Sequence, residues 1–302
     1  MSEVPSTIRQ DLFDAAFLGR IEQLALLARR MASSGMRAQR RSKTIGSGIE
    51  FADHRAYAAG DDLRRVDWTL LARTDRLQLR LYEEEEDLSV WFLIDRSLSM
   101  SMAPAGGVHL LDRALQVAAA LAYISLTNLD RVAVVALGQS EPPMRPVRGR
   151  QQFFRILREL SAIVPEGPTH LQASLDAFLR SQPRKGLVVL ISDFYDPDGL
   201  GATLRDLAVR GYEVMVLHLT DQSLLNADVQ GDLALIDVET GQERELVLTP
   251  ALMQQYRLAF EEFTAEIQAM ARQVGARCLH VDVSQAFDDV VMRIFRAGGF
   301  LR

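Results

Sequence analysis

The chain has little cysteine, little lysine and no long uninterrupted apolar run. A single cysteine, Cys278, stands in 302 residues. That excludes an intramolecular disulfide framework and any zinc or iron–sulfur site built from several thiolates, and it fits a reducing compartment. Of the 34 basic residues only Lys43 and Lys185 are lysines. Arginine suits carboxylates and phosphates, but so uniform a bias also arises from genome-wide codon usage. The longest apolar stretch, Val117 to Leu126, contains Tyr123 and Ser125 and falls short of the ~20 residues a spanning helix needs. The N-terminal MSEVPSTIRQDLFDAAF has no basic region followed by an apolar core, so no secretory signal is expected. These absences lead to the expectation of a cytoplasmic protein with no membrane span. No G-x-x-x-x-G-K-[ST] phosphate loop occurs, so ATP hydrolysis by the chain alone is not expected.

What is present is ordinary for a globular protein. Hydrophobic residues make up 48% and charged residues 25%, which argues against disorder, collagen and coiled coil. The length admits one large or two modest domains. A net charge of −6 argues against wholesale nucleic-acid binding. The charge is uneven: residues 1–80 carry 14 basic and 10 acidic side chains, and the remainder 20 and 30. Arg29, Arg30, Arg37, Arg40, Arg41 and Lys43 form the basic focus. A solvated helix end is the plain reading, and a docking face for an acidic partner the functional one. Nucleic acid comes third, because no aromatic residue is interleaved there for stacking.

Phe13, Ala16, Phe17, Ile21, Leu24, Ala25 and Ala28 recur at helical spacing, which predicts a helix over 10–34. Residues 44–87 are polar and turn-rich, with Leu77, Leu79 and Leu81 alternating as in a strand. From residue 88 onward apolar strands alternate with helical patterns. Strands are expected at 88–95, 131–137, 186–192, 212–219 and 276–283. Helices are expected near 108–127, 150–162, 169–181, 198–210, 250–274 and 286–296, and hairpins near 141–148 and over 233–248. Such alternation predicts an α/β fold whose mainly parallel sheet is covered on both faces. The expected division is 1–87, a small helical and loop-rich subdomain, and 88–302, the sheet domain.

In such sheets ligands bind beyond the carboxyl ends of the strands. The first strand ends in Asp95-Arg96-Ser97-Leu98-Ser99, the strand at 186–192 ends in Asp193, and Thr169 precedes a helix. Asp95, Ser97, Ser99, Thr169 and Asp193 are therefore candidates to converge at one rim. Two carboxylates and three hydroxyls are hard oxygen donors suited to Mg²⁺ or Mn²⁺. Few of them are anionic, so a held cation would stay electrophilic and could accept a carboxylate from a partner. The plain alternative is that Asp95 and the serines cap a turn.

Asp95 to Ser99, with Thr169 and Asp193, resembles the metal-ion-dependent adhesion site of von Willebrand factor A domains. The stretch RAYAAGDDLRRVDW at 55–68, continuing through Arg73 and Leu77, resembles the signature of the domain of unknown function 58 family, the MoxR-associated von Willebrand A-like proteins. Together these motifs cover about residues 45–200. The resemblance implies a doubly wound, Rossmann-like sheet of von Willebrand factor A type. It also implies a metal held by Asp95, Ser97, Ser99, Thr169 and Asp193, and cooperation with a MoxR-type AAA+ ATPase in protein maturation or chaperone-like remodelling. Pro168 stands where a Gly is common, and it biases Gly167 toward an extended backbone.

The charged and aromatic residues of the signature are expected to pair Arg with Asp, and Trp68 is expected to pack in a core or subdomain seam. Glu83 to Asp87 reads as a solvated acidic edge. The five histidines lack ligand spacing, and Cys278 reads as a small buried residue. The leading function is thus a non-enzymatic, metal-dependent interaction factor whose client protein offers a carboxylate. The competing one is Mg²⁺-dependent phosphoryl transfer with Asp95 as nucleophile. Against that, position 97 is Ser where haloacid-dehalogenase-type phosphatases carry an acid.

Overall fold

The computed structural model describes residues 12–35, 45–46, 50–58, 60–83, 88–103, 107–138, 144–196, 200–226 and 231–297. The chain forms two compact units, one of residues 1–29 with 88–301 and one of residues 30–87 with 302.

The larger unit begins with α1 (Ala15–Gly35), opened by Asp14, whose carboxylate accepts from the Phe17 N–H at 2.6 Å. Phe17, Ile21, Leu24, Ala25 and Ala28 are buried along one stripe, as the periodicity predicts, while Ala16 is exposed. Phe17 packs its ring 5.2 Å from Phe287, and Glu22 pairs with Arg150. Through residue 29 this helix therefore belongs with the sheet and not with the subdomain expected over 1–87. Its apolar stripe needs a covering surface, and the sheet unit supplies it.

Then follow β4 (Ser89–Ile94), α3 (Leu110–Thr127), β5 (Arg131–Ala136), β6 (Val147–Arg148), α4 (Phe153–Ser161) and α5 (Leu171–Arg180). Next come β7 (Leu187–Ser192), α6 (Leu200–Val209), β8 (Glu213–Thr220), the hairpin β9 (Gly231–Ile236) and β10 (Glu243–Leu248), α7 (Pro250–Gln273), β11 (Arg277–Asp282) and α8 (Phe287–Arg296). In the smaller unit β1 (Ile45–Gly46), β2 (Glu50–Ala56) and β3 (Gln78–Glu83) form an antiparallel sheet in the order β1-β3-β2, with α2 (Trp68–Thr74) between β2 and β3.

The central sheet has six strands in the order β11-β8-β7-β4-β5-β6. All neighbours run parallel except β6, which is antiparallel to β5. Of the hairpin expected near 141–148, residues 144–148 are described and only β6 is strand. The two central strands are apolar on both sides: every residue of β4 and β7 is buried. Trp91, Leu93, Val188 and Leu190 face the layer of α5, α6 and α7. The opposite face is covered by α3 with α4 and α8 beside it. Helix α3 is long and apolar enough to cross a membrane by length and composition alone, but 89% of that window is buried within the protein.

Strand order positions the site. From β4 the chain crosses over to β5 on one side, and from β7 it crosses to β8 on the other. The outgoing connections diverge between β4 and β7, and in such sheets ligands bind beyond the carboxyl ends at the point of divergence. At the other end of this strand pair the approach is tight. A Cβ built on Gly186 would lie 2.0 Å from the Ser89 carbonyl oxygen.

Candidate functional site

Asp95 leaves the end of β4 and Asp193 the end of β7, and the Asp95 N–H donates to the Ile191 carbonyl at 2.9 Å. The two strand ends are thus stitched side by side. Asp95 is held at both carboxylate oxygens. Oδ1 accepts from the Ser97 N–H at 2.9 Å, and Oδ2 accepts from the Ser192 hydroxyl at 2.5 Å. Ser97 and Ser99 bring their hydroxyl oxygens to 2.9 Å of one another, because a 3-10 turn over Leu98–Ser101 folds the loop back on itself.

That loop is tied to the segment preceding α5. The Leu98 N–H donates to the Gly167 carbonyl at 2.9 Å, and the Glu166 N–H to the Arg96 carbonyl at 2.7 Å. The Arg96 guanidinium pairs with the Glu166 carboxylate at 2.7 Å. Gly167 sits at φ +72°, in the left-handed region and not in the extended conformation that Pro168 favours. Glycine alone tolerates this without strain, and the turn delivers Thr169 to the same rim.

All five candidates, Asp95, Ser97, Ser99, Thr169 and Asp193, are at most 8% exposed. Oδ1 of Asp193 accepts from the Tyr195 N–H at 3.3 Å, whereas its Oδ2 is buried with no hydrogen-bond partner. Burial, reinforced by the Asp95 charge, pushes the Asp193 carboxyl up to about 7, against the Ser99 hydroxyl and the Tyr195 N–H, which favour the anion. Burial likewise raises that of Asp95, against the Ser192 hydroxyl and the Ser97 N–H, which favour the anion. Directly after Asp193, Phe194 is held at φ +59°, with its N–H on the Ser192 hydroxyl at 2.8 Å. A bulky residue in this region is strained, and strain of this kind gathers at functional sites.

Two participants escape a reading of the sequence. Ser192 looks like the last residue of a buried strand, yet it bonds Asp95. Glu239 lies in the turn between β9 and β10. Its Oε1 accepts from the Thr169 hydroxyl at 2.8 Å and its Oε2 from the Thr169 N–H at 3.4 Å. The hairpin itself is legible, but nothing local in it points to a site far upstream. The structure also joins two histidines that the spacing left scattered. His218 and His280 are register partners on β8 and β11, with ring centroids 5.2 Å apart.

Among the described residues, no group of three or more His, Cys, Asp or Glu is arranged to hold a metal ion. A cation at this rim must draw on hydroxyl oxygens, which Ser97, Ser99 and Thr169 offer. The donor chemistry fits a hard divalent cation, and the unpartnered Asp193 Oδ2 is a buried acceptor of the kind such a cation satisfies.

In the smaller unit, the expected Arg–Asp pairing holds for Arg55 and Asp61 at 2.8 Å. Asp67 caps α2 through the Thr69 and Leu70 N–H groups, both at 3.0 Å. Trp68 does not fill a core: it is 59% exposed, because the first turn of α2 turns it outward. Of the basic focus, residues 36–44 lie outside the described residues, as do 84–87 of the acidic run.

Residues 53–270 match the family model described as protein of unknown function DUF58. An uncharacterized protein of Mycobacterium tuberculosis, Rv1480, is 29% identical over 280 residues, covering 91% of this chain and 87% of its own. Among solved structures, the conserved hypothetical protein BatB of Bacteroides thetaiotaomicron is 17% identical with a TM-score of 0.46, covering 71% of this chain and 98% of its own. An aerotolerance-related membrane protein of Bacteroides fragilis, crystallised with multiple mutations to serines, is also 17% identical with a TM-score of 0.43, covering 69% of this chain and 98% of its own.

Proposed function

The chain belongs to the DUF58 family, and from that premise we propose that it is a non-enzymatic interaction factor built on a von Willebrand factor A-type sheet. It holds Mg²⁺ or Mn²⁺ through Asp95, Ser97, Ser99, Thr169 and Asp193. When bound, the cation supplies an electrophilic centre for a carboxylate on a client protein. The observation that carries this reading is the buried Asp193 Oδ2 without a hydrogen-bond partner, at the rim where the Ser97 N–H holds Asp95 and the Ser97 and Ser99 hydroxyls meet one another.

The residues divide the work. Asp95 fixes the loop through its two hydrogen bonds and brings negative charge to the rim. Ser97, Ser99 and Thr169 add hydroxyl oxygens without further charge. Asp193 contributes the free carboxylate oxygen. A nucleophilic role for Asp95 is disfavoured, because Ser97 stands where phosphatases of the haloacid-dehalogenase type carry an acidic residue. The family resemblance supplies the partner, a MoxR-type AAA+ ATPase, and we place the pair in the cytoplasm.

The test is direct binding of the purified protein to a MoxR-type ATPase, with Mg²⁺ and with chelator, for wild type and Asp95→Ala. Retention by wild type with Mg²⁺ alone is expected, with circular dichroism showing the variant still folded. Equal binding in all four samples would remove the metal site from the contact.

A further inference from the structure

The turn between β9 and β10 is built to hold one carboxylate still. Asp237 Oδ1 accepts from the N–H groups of Glu239 at 2.9 Å and Thr240 at 2.8 Å. The Gly241 N–H donates to the Asp237 carbonyl at 2.8 Å, and the Asp237 N–H to the Gln242 carbonyl at 2.8 Å. Gly241 takes φ +70°, which closes the turn at no steric cost. The strands behind it pair in register from Gly231↔Leu248 to Ile236↔Glu243. Glu239 is therefore carried on a preset turn, and its side chain ends on Thr169.

The contact is asymmetric. Thr169 gives its hydroxyl proton to Glu239 Oε1 at 2.8 Å, which leaves the Thr169 oxygen lone pairs free. The second carboxylate oxygen, Oε2, has only the 3.4 Å bond to the Thr169 N–H. The negative charge of Glu239 is felt at both Asp95 and Asp193. Glu239 is half-buried, and the repulsion it adds to the two buried aspartates is relieved by a proton or by a cation.

We propose that Glu239 is a further ligand of the metal, supplied by the hairpin turn and occupying the position that a partner's carboxylate would take. This rests on the metal-site reading above. The Thr169 hydroxyl can serve the cation through its oxygen while its proton stays on Glu239 Oε1, and Oε2 completes the oxygen set. The hairpin is thereby drawn down when the site is loaded, and an incoming carboxylate competes with one the chain already carries. The site then selects partners whose carboxylate outcompetes a tethered one.

The experiment uses the full chain and Mn²⁺ as probe. Electron paramagnetic resonance measures Mn²⁺ affinity for wild type, Glu239→Ala and Asp193→Ala. Amide hydrogen exchange follows residues 237–242 of wild type with and without Mn²⁺, and acetate serves as a stand-in carboxylate. Wild type is expected to bind Mn²⁺ about ten- to a hundredfold more tightly than Glu239→Ala, the range carried by groups that support metal ligands. Mn²⁺ is expected to slow exchange across the turn, and acetate to perturb the Mn²⁺ spectrum of Glu239→Ala at lower concentration than that of wild type. Equal Mn²⁺ affinity in wild type and Glu239→Ala, with exchange at the turn unmoved by Mn²⁺, overturns the role of Glu239 and leaves the metal site standing, provided Asp193→Ala loses binding. No Mn²⁺ binding to wild type overturns both.

Discussion

Asp193 presents one bonded and one bare carboxylate oxygen in a buried site. Burial and the neighbouring Asp95 hold its carboxyl near 7 against an ordinary 3.8. Because the folded value is the higher one, proton uptake stabilises the fold below about 3.8, and this contribution disappears as pH rises through 7. Metal binding expels that proton. Thermal unfolding of wild type should therefore show a larger Mg²⁺-induced rise in Tm at pH 8 than at pH 6. Asp193→Asn should raise the metal-free Tm at pH 8 by a few degrees and abolish the Mg²⁺ effect. A variant that keeps the full Mg²⁺ response would remove Asp193 from the site. His218 works in the opposite sense. Burial holds its imidazole down at about 3, so its contribution is present above 6.5 and lost as pH falls toward 3. The wild type and variant must for that reason be compared at the same pH. Ser192→Ala leaves the buried Asp95 Oδ2 without the hydroxyl it accepts from. A loss of about 1–3 kcal/mol is expected for an orphaned acceptor, measured by chemical denaturation in chelator.

At the scale of elements, the site depends on β4 and β7 lying side by side. Gly186 lets them do so at their amino ends, since a Cβ there would meet the Ser89 carbonyl at 2.0 Å. Gly186→Ala should cost about 1–3 kcal/mol through forced backbone shifts, and denaturant unfolding measures it. A loss below about 0.5 kcal/mol would show that the strands have room to move apart. In α2 the expected balance is reversed. Asp67→Ala removes the cap on two N–H groups and should cost the smaller unit about 1 kcal/mol. Trp68→Ala, at an exposed position, should change its stability by no more than about 0.5 kcal/mol. The order of those two effects separates a structural aspartate from a surface tryptophan. The large ring suggested a core from sequence because aromatic residues usually bury their area. Its place on the first turn after the Asp67 cap puts it outside instead.

At the scale of the whole molecule, α1 joins the sheet unit through residue 29. Removing residues 1–29 should expose the Phe287 ring that Phe17 covers. It should then lower the Tm of the sheet unit, read by calorimetry; an unchanged transition would show that the helix is dispensable. Most strands and helices after residue 88 were legible to within two residues, because unbroken apolar runs and 3.6-residue spacing are local properties; α4 begins three residues later than expected, after a 3-10 turn, and of the hairpin near 141–148 only β6 is strand among the described residues. The same holds for Asp95 and Asp193 at strand ends, since a polar residue closing an apolar run marks where a strand leaves the core. Local pattern carries no information about which strands become neighbours. Only the order β7-β4-β5 makes two distant strand ends adjacent, and only the placement of a hairpin sets Glu239 on Thr169. The sequence by itself determined the elements, the α/β class and the oxygen-rich residues at the strand ends, because these follow from burial along one segment. The tertiary structure decided the partner of α1, the exposure of Trp68, the pairing of His218 with His280 and the entry of Ser192 and Glu239 into the site. Each of those depends on packing between segments far apart in the chain, which no window of residues records.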